Sequence, residues 1–196
     1  MLVLGPQGSG KGTQAQRIKA MYGFPHIASG DMIREMKELP TELGRELKEV
    51  YDRGDLVSDD LMVRLIRDRL LRGDTVGGFI LDGFPRTMPQ AEALDELLRE
   101  LDRRLDVVFD FQVPDREALL QRMLKRAADE GRSDDTPEAF GRRLELYDKE
   151  TAPLLEYYRS TRGNVVGIHA DRTIDEVFRE IEEALAEVAR HKKVEA

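Results

Sequence analysis

Near the amino end stand nine consecutive residues, Gly5-Pro6-Gln7-Gly8-Ser9-Gly10-Lys11-Gly12-Thr13, that together could hold a phosphate chain. They follow an apolar run, Leu2-Val3-Leu4, and precede a helical pattern. A strand feeding a glycine-rich turn that opens a helix aims successive backbone N–H groups at one point. The positive end of the helix dipole adds to the attraction for an anion. Lys11 supplies a mobile positive charge for the outer phosphates. In the usual form of this loop a Ser or Thr follows Lys directly, whereas here Gly12 stands between Lys11 and Thr13. A second candidate group is Asp82-Gly83-Phe84-Pro85-Arg86, directly after the apolar run Phe79–Leu81. An aspartate at the end of a buried strand beside a phosphate loop can hold magnesium. The same Asp-Gly pair is also a common turn former, and Arg86 at the same crevice favours the functional reading. Pro85 follows an aromatic in a tight turn, where the preceding peptide takes either the trans or the cis form.

These residues need elements to position them. Apolar runs predict strands at Leu2–Leu4, His26–Ala28, Phe79–Leu81, Val107–Val113 and Val165–Ile168. Helical spacing predicts helices near Thr13–Tyr22, Asp59–Leu71, Pro89–Leu101, Asp115–Ala128 and Pro137–Tyr158. Thr173-Ile174-Asp175-Glu176 reads as a capping box that opens a last helix, and Thr136-Pro137 as an N-cap with proline at N1. Strands alternating with helices imply an α/β fold: a three-layer, doubly wound parallel sheet of about five strands with helices on both faces. Ligands then bind beyond the carboxyl ends of the strands. Two segments break the alternation. Residues 29–57 carry two small helical patterns and no strand, and residues 129–136 form a polar link. Both read as excursions near the crevice. The end from His191 to Ala196 is expected to fray.

With 196 residues, 40% apolar and 36% charged, the chain suits one globular domain and not a disordered segment. No apolar run approaches the ~20 residues of a membrane span. The chain opens directly into the phosphate loop, so no signal peptide is expected. The absence of cysteine excludes disulfides, thiolate zinc sites and cysteine nucleophiles, and suits a reducing cytoplasm. A net charge of −8 argues against general nucleic-acid binding. Arginine nevertheless outnumbers lysine, and arginine grips phosphate at two points. Arg17, Arg64, Arg99 and Arg103 are assigned to solvated helix faces, and Lys192-Lys193 to a tail. His26, His169 and His191 are scattered and suggest neither a metal site nor a triad.

The run Gly5–Ala15 resembles the phosphate loop of the adenylate kinases, which share the glycine between Lys and Thr. Ser29-Gly30-Asp31-Met32-Ile33-Arg34 resembles their AMP-binding entry, and Leu81–Gln90 their signature segment. Gly131-Arg132-Ser133-Asp134-Asp135 with Arg142-Arg143-Leu144 resembles the lid and the helix after it, and Thr151-Ala152-Pro153-Leu154 a further segment. The lid is of the short type, without the zinc-binding or hairpin insertion of the long form. Ile168-His169-Ala170-Asp171-Arg172 replaces the glycine-containing turn that many members place by the ATP adenine.

The resemblance implies a single nucleoside monophosphate kinase domain. Its core would be residues 1–28, 58–124 and 136–196, with an AMP-binding segment at 29–57 and a short lid at 125–135. It implies that Gly8, Ser9, Gly10, Lys11, Gly12 and Thr13 hold the ATP phosphates, with Arg122, Arg126 and Arg172 also on the ATP side. Ser29, Arg34, Asp55, Leu56, Val57, Gly83, Phe84, Pro85, Arg86 and Gln90 would bind AMP, Gln90 reading the adenine edge. Arg132 and Arg143 would close on the transferring phosphoryl group and touch AMP as well. With Lys11, Arg86 and Arg126 they form the implied catalytic set, and Asp82 would anchor Mg²⁺ through water. The implied reaction is ATP + AMP ⇌ 2 ADP in a cytoplasmic monomer, with no zinc, no nucleic acid and no membrane. A UMP/CMP kinase shares the loop, the Gly-Phe-Pro-Arg block and a short lid, but usually has Asn where this chain has Thr87. A GTPase-type switch would carry an Asn-Lys-x-Asp-like segment, which this sequence lacks.

Overall fold

A computed structural model describes residues 1–132 and 134–195. Five parallel strands, β1 (Leu2–Leu4), β2 (His26–Ala28), β3 (Ile80–Asp82), β4 (Val108–Gln112) and β5 (Val165–His169), form one sheet in the order β2-β3-β1-β4-β5. Each starts and ends within one residue of the place its apolar run predicts. Alternation along the strands divides the core in two. Leu2, Leu4, Leu81 and Val108 face one apolar cluster, whereas Val3, Ile80, Phe109 and Phe111 face the other. Helices α4 (Asp59–Leu70), α5 (Met88–Glu100) and α8 (Pro153–Arg162) cover the first face through Ile66, Leu94 and Leu154. Helices α1 (Lys11–Tyr22), α6 (Arg116–Glu130) and α9 (Ile174–Glu195) cover the second through Ile18, Met123 and Ile181. Burying both faces of a parallel sheet in this way gives three layers. The chain leaves β1 toward β3 and β2 on one side and reaches β4 and β5 on the other, so a crevice opens above the end of β1.

The two small helices expected within residues 29–57 are α2 (Ser29–Lys37) and α3 (Glu42–Asp52). The single helix expected over Pro137–Tyr158 is instead α7 (Pro137–Leu146), a π-helical turn at Tyr147–Thr151, and α8. Pro153 has no N–H to continue the ladder. The wide turn closes with Ala152 N–H donating to Tyr147 O at 2.8 Å, and it aims Thr151 Oγ1 at Arg86 O, 2.9 Å away. The capping box is present: Thr173 N–H donates to Glu176 Oε2 at 3.0 Å. Helix α9 continues to Glu195, where fraying from His191 was expected. Ala196 lies outside the described residues, as do the side chains of Lys192 and Lys193. Arg103 is not on a solvated face. It donates to Leu70 O at 3.3 Å and Thr75 Oγ1 at 3.1 Å and so ties the end of α4 to the turn that follows.

Candidate active site

Gly10 precedes α1 as its N-cap, in the left-handed conformation at φ 88, and makes no side-chain cap bond. Gly8 takes φ 84, and a Cβ there would stand 2.4 Å from Leu119 O, so packing of α6 against the loop excludes any side chain. The loop therefore packs closely on α6, and Gly8 to Thr13 line the crevice. Lys11 folds back over it, donating to Pro6 O at 2.8 Å and Ser9 Oγ at 3.3 Å. Burial brings the Lys11 ammonium down to about 8, with Asp82 opposing the shift and Arg86 and Arg126 adding to it.

Asp82 ends β3 beside this loop, and a Cβ on Gly12 would lie 3.6 Å from its Oδ2. His26 Nε2 stands 3.1 Å from the same oxygen, and Gln16 Nε2 stands 3.1 Å from His26 Nδ1. The Gln16 amide donates to Nδ1, so Nε2 carries the proton and donates to Asp82. Burial pushes the Asp82 carboxyl up, yet the His26 bond and the Lys11 charge hold it below the usual carboxylate range. One ionised carboxylate beside a phosphate loop suits magnesium, which takes one or two carboxylates and completes its shell from phosphates and water. Among the described residues, no group of three or more His, Cys, Asp or Glu is placed to hold a metal ion.

Gly83, at φ 74, turns its carbonyl to accept from Ser29 Oγ at 2.6 Å and Arg86 Nε at 2.8 Å. The Phe84–Pro85 peptide is cis. Arg34 Nη1 donates to Tyr51 Oη at 2.8 Å, and its other branch pairs with Asp31. Two buried carboxylates, Asp134 and Asp135, receive Arg126 and Arg143. Arg126 donates twice to Asp135 Oδ2, at 3.0 and 2.7 Å. Arg143 reaches Asp135 at 2.9 Å and Asp134 at 3.0 Å. The Arg143 guanidinium also lies 4.8 Å from the Tyr51 ring centroid, in cation–π contact. Burial raises the Asp134 carboxyl, but the Arg143 bond and the charges of Lys37 and Arg34 bring it below its ordinary value. Arg132 pairs with Glu130 at 2.6 Å, Arg122 donates to Ala170 O at 2.8 Å, and Arg172 lies half exposed, 3.9 Å from Glu180.

One cavity of about 900 Å³ gathers Gly8 to Thr13, Arg34, Leu56, Asp82, Gly83, Pro85, Arg86, Arg122, Arg126, Arg132, Arg143 and Arg172. A small cavity of about 20 Å³ adjoins it at Gly83 and Arg86 and is lined by Ser29, Asp55, Leu56, Val57 and Gln90. Phe84, 1% exposed, lies in the apolar core and lines neither. Residues 125–130 of the expected lid belong to α6 rather than to a loop, and Ser133 is outside the described residues. Asp134 and Asp135 have no role in the sequence reading, which takes His26 as a scattered histidine and Gln7 only as part of the loop and does not single out Tyr51. The signal was charge balance: so many arginines converging on one crevice require carboxylates between ligands.

The family model for adenylate kinase matches residues 3–163. An adenylate kinase of Bifidobacterium longum (strain NCC 2705) is 48% identical over 177 residues, which cover 90% of this chain and 94% of that protein. One from Leifsonia xyli subsp. xyli is 47% identical over 187 residues, 95% of this chain and 93% of its own. One from Xanthomonas euvesicatoria pv. vesicatoria is 44% identical over 185 residues, 94% and 98%. With a parallel sheet, a phosphate loop above its central strand and a crevice ringed by arginines, the chain belongs to the adenylate kinase family.

Proposed function

We propose that this chain is an ATP:AMP phosphotransferase that catalyses ATP + AMP ⇌ 2 ADP with Mg²⁺. The observation that carries this reading is the large cavity, whose wall joins the phosphate loop to Arg34, Arg86, Arg126, Arg132 and Arg143. The phosphate loop lines this cavity, and a narrow space beside Gly83 and Arg86 is lined by Gln90. Two phosphorylated ligands can therefore meet head to head at the arginines. The loop amides of Gly8 to Thr13 hold the ATP phosphates, while Arg122 and Arg172 lie toward the ATP base. Arg34 and Arg86 grip the AMP phosphate, and Ser29, Asp55, Leu56 and Val57 frame its nucleoside.

An AMP phosphate oxygen attacks the γ-phosphorus, and the bond from that phosphorus to the β–γ bridging oxygen breaks, leaving ADP on each side. The attacking oxygen is already an anion, so no side chain need remove a proton. The chain's task is position, charge and exclusion of water. Lys11, Arg126, Arg132 and Arg143 neutralise charge on the moving phosphoryl group. Asp82 would hold Mg²⁺ through water, and the ion would supply further neutralisation on the ATP phosphates. Residues 29–57 and 125–135 act as two flaps, and closure brings their arginines onto phosphate. The reaction runs in a cytoplasmic monomer on free nucleotides, since every group named comes from one chain and the net charge of −8 opposes nucleic acid and acidic membranes.

Initial rates with AMP, UMP, CMP and GMP as acceptors test the reading. AMP is expected to exceed the others by roughly 100-fold in kcat/KM. Activity should vanish in EDTA and return with excess Mg²⁺. UMP or CMP matching AMP would overturn the assignment in favour of a pyrimidine nucleotide kinase.

A further inference from the structure

Gln90 is 2% exposed and lines the small cavity. Both ends of its carboxamide are engaged by groups that can bond in only one sense. Its Oε1 accepts from the backbone N–H of Arg86 at 2.8 Å, and a backbone N–H can only donate. Its Nε2 donates to Asp59 Oδ1 at 2.7 Å, and a carboxylate can only accept. Thr87 Oγ1, the N-cap of α5, donates to the same Asp59 oxygen at 2.9 Å and ties the carboxylate in place. Turning the amide over would set oxygen against carboxylate and N–H against N–H.

We infer that Asp59 is a positioning residue that locks the Gln90 carboxamide in one orientation and so makes the acceptor's base site select 6-aminopurine over 6-oxopurine nucleotides. This inference rests on the reading that Gln90 meets the base of the acceptor. After its two fixed bonds, Gln90 keeps one N–H on Nε2 and one lone pair on Oε1. A 6-aminopurine offers the complement, an exocyclic N–H and a ring nitrogen acceptor. A 6-oxopurine offers a carbonyl acceptor and a ring N–H in the opposite order. An amide free to turn over would serve either base, and the locked one serves only the first.

AMP and inosine monophosphate differ at just this edge, so they are the probes. We measure kcat/KM for both with wild type, Asp59→Ala and Asp59→Asn, and the dissociation constant of each nucleotide by calorimetry. The wild type is expected to prefer AMP. Asp59→Ala, which leaves the Arg86 N–H as the remaining constraint, should lower the AMP-to-IMP preference by about tenfold, whereas Asp59→Asn, which keeps Oδ1, should stay within about threefold of wild type. If the alanine chain does not fold, Asp59→Leu, which fills the space without an acceptor, is read in its place. Parallel loss for both nucleotides, with the preference unchanged, would overturn the inference and leave Asp59 a structural residue. Equal relaxation in the asparagine and alanine variants would overturn it too. A wild type that does not use AMP would instead sink the functional reading beneath it.

Discussion

Replacing Lys11 by methionine separates what the ammonium costs the fold from what it gives the reaction. Burial lowers Lys11 from 10.5 to about 8 in the free protein, a displacement worth about 3 kcal/mol against the charged form at neutral pH. The hydrogen bonds to Pro6 O and Ser9 Oγ return roughly 1 kcal/mol each. Lys11→Met removes both effects, so the fold should gain about 1 kcal/mol, or roughly 2–4 °C in Tm. The sign of the pH dependence follows from the lowered value. Below about 8 the native ammonium is charged and its cost is fully present. Between about 8 and 10.5 the native state loses the proton while the unfolded chain keeps it, so wild-type stability rises relative to the variant. The gain seen at pH 7 should be gone near pH ~9 and reversed by about 10.5, where the cost has vanished and the two hydrogen bonds remain. Activity moves the other way: kcat should fall by roughly 10²–10⁴-fold, about 3–5 kcal/mol of lost charge stabilisation. Thermal melts across this range, with coupled rate assays at pH 7, measure both. A variant that melts several degrees lower at pH 7, or that keeps half its kcat, would refute the reasoning.

Arg86→Ala should weaken AMP binding by roughly 10–100-fold while changing ATP by less than about threefold, because a two-point clamp is lost at one site only. Calorimetry showing equal losses for both nucleotides would contradict the roles. A bisubstrate analogue carrying both adenosines should bind far more tightly than either nucleotide and slow amide exchange across residues 29–57 and 125–135 more than in the strands. Unchanged exchange in both segments at saturation would leave the two-flap mechanism without support.

The phosphate loop is legible in sequence because everything that shapes it is local. Its glycines permit the turn, the apolar run before it is the strand, and the lysine follows at once. The strands are legible for a similar reason, since a parallel sheet buried on both faces writes itself as short apolar runs. The break before Pro153 was legible in the proline itself, which cannot continue a helical ladder. The order of the strands and the partners of the functional residues are not local. His26 meets Asp82 across 56 residues, Gln90 meets Asp59 across 31, and Arg143 meets the Tyr51 carbonyl across 92. No window of sequence contains both members of any of these pairs. Chemical complementarity raises the question of a partner, and only the fold answers it.

Charge shows why such partners must exist. Lys11, Arg34, Arg86, Arg126, Arg132 and Arg143 converge on one cavity, and Arg86 is drawn below its ordinary value by burial, with Arg143 and Arg34 nearby. Left to themselves, these cations would repel one another and swing into solvent, and a ligand would have to order each long side chain at about 1.5–2 kcal/mol apiece. Asp134 and Asp135, with side chains 1% and 0% exposed, hold Arg126 and Arg143 inside the crevice. Gln7 adds a bond to Asp135 at 2.6 Å, which ties the phosphate loop to the same carboxylate. Arginines held this way are already ordered when phosphate arrives, so the entropic cost was met when the chain folded. The two carboxylates also set a limit. They compete with phosphate for the same N–H groups, so nucleotide affinity is a difference between two charge-assisted sets of bonds. The transferring group carries its charge over three oxygens, whereas a carboxylate offers two. It can therefore bind more of these donors in the transition state than the aspartates do at rest, which is where stabilisation speeds the reaction.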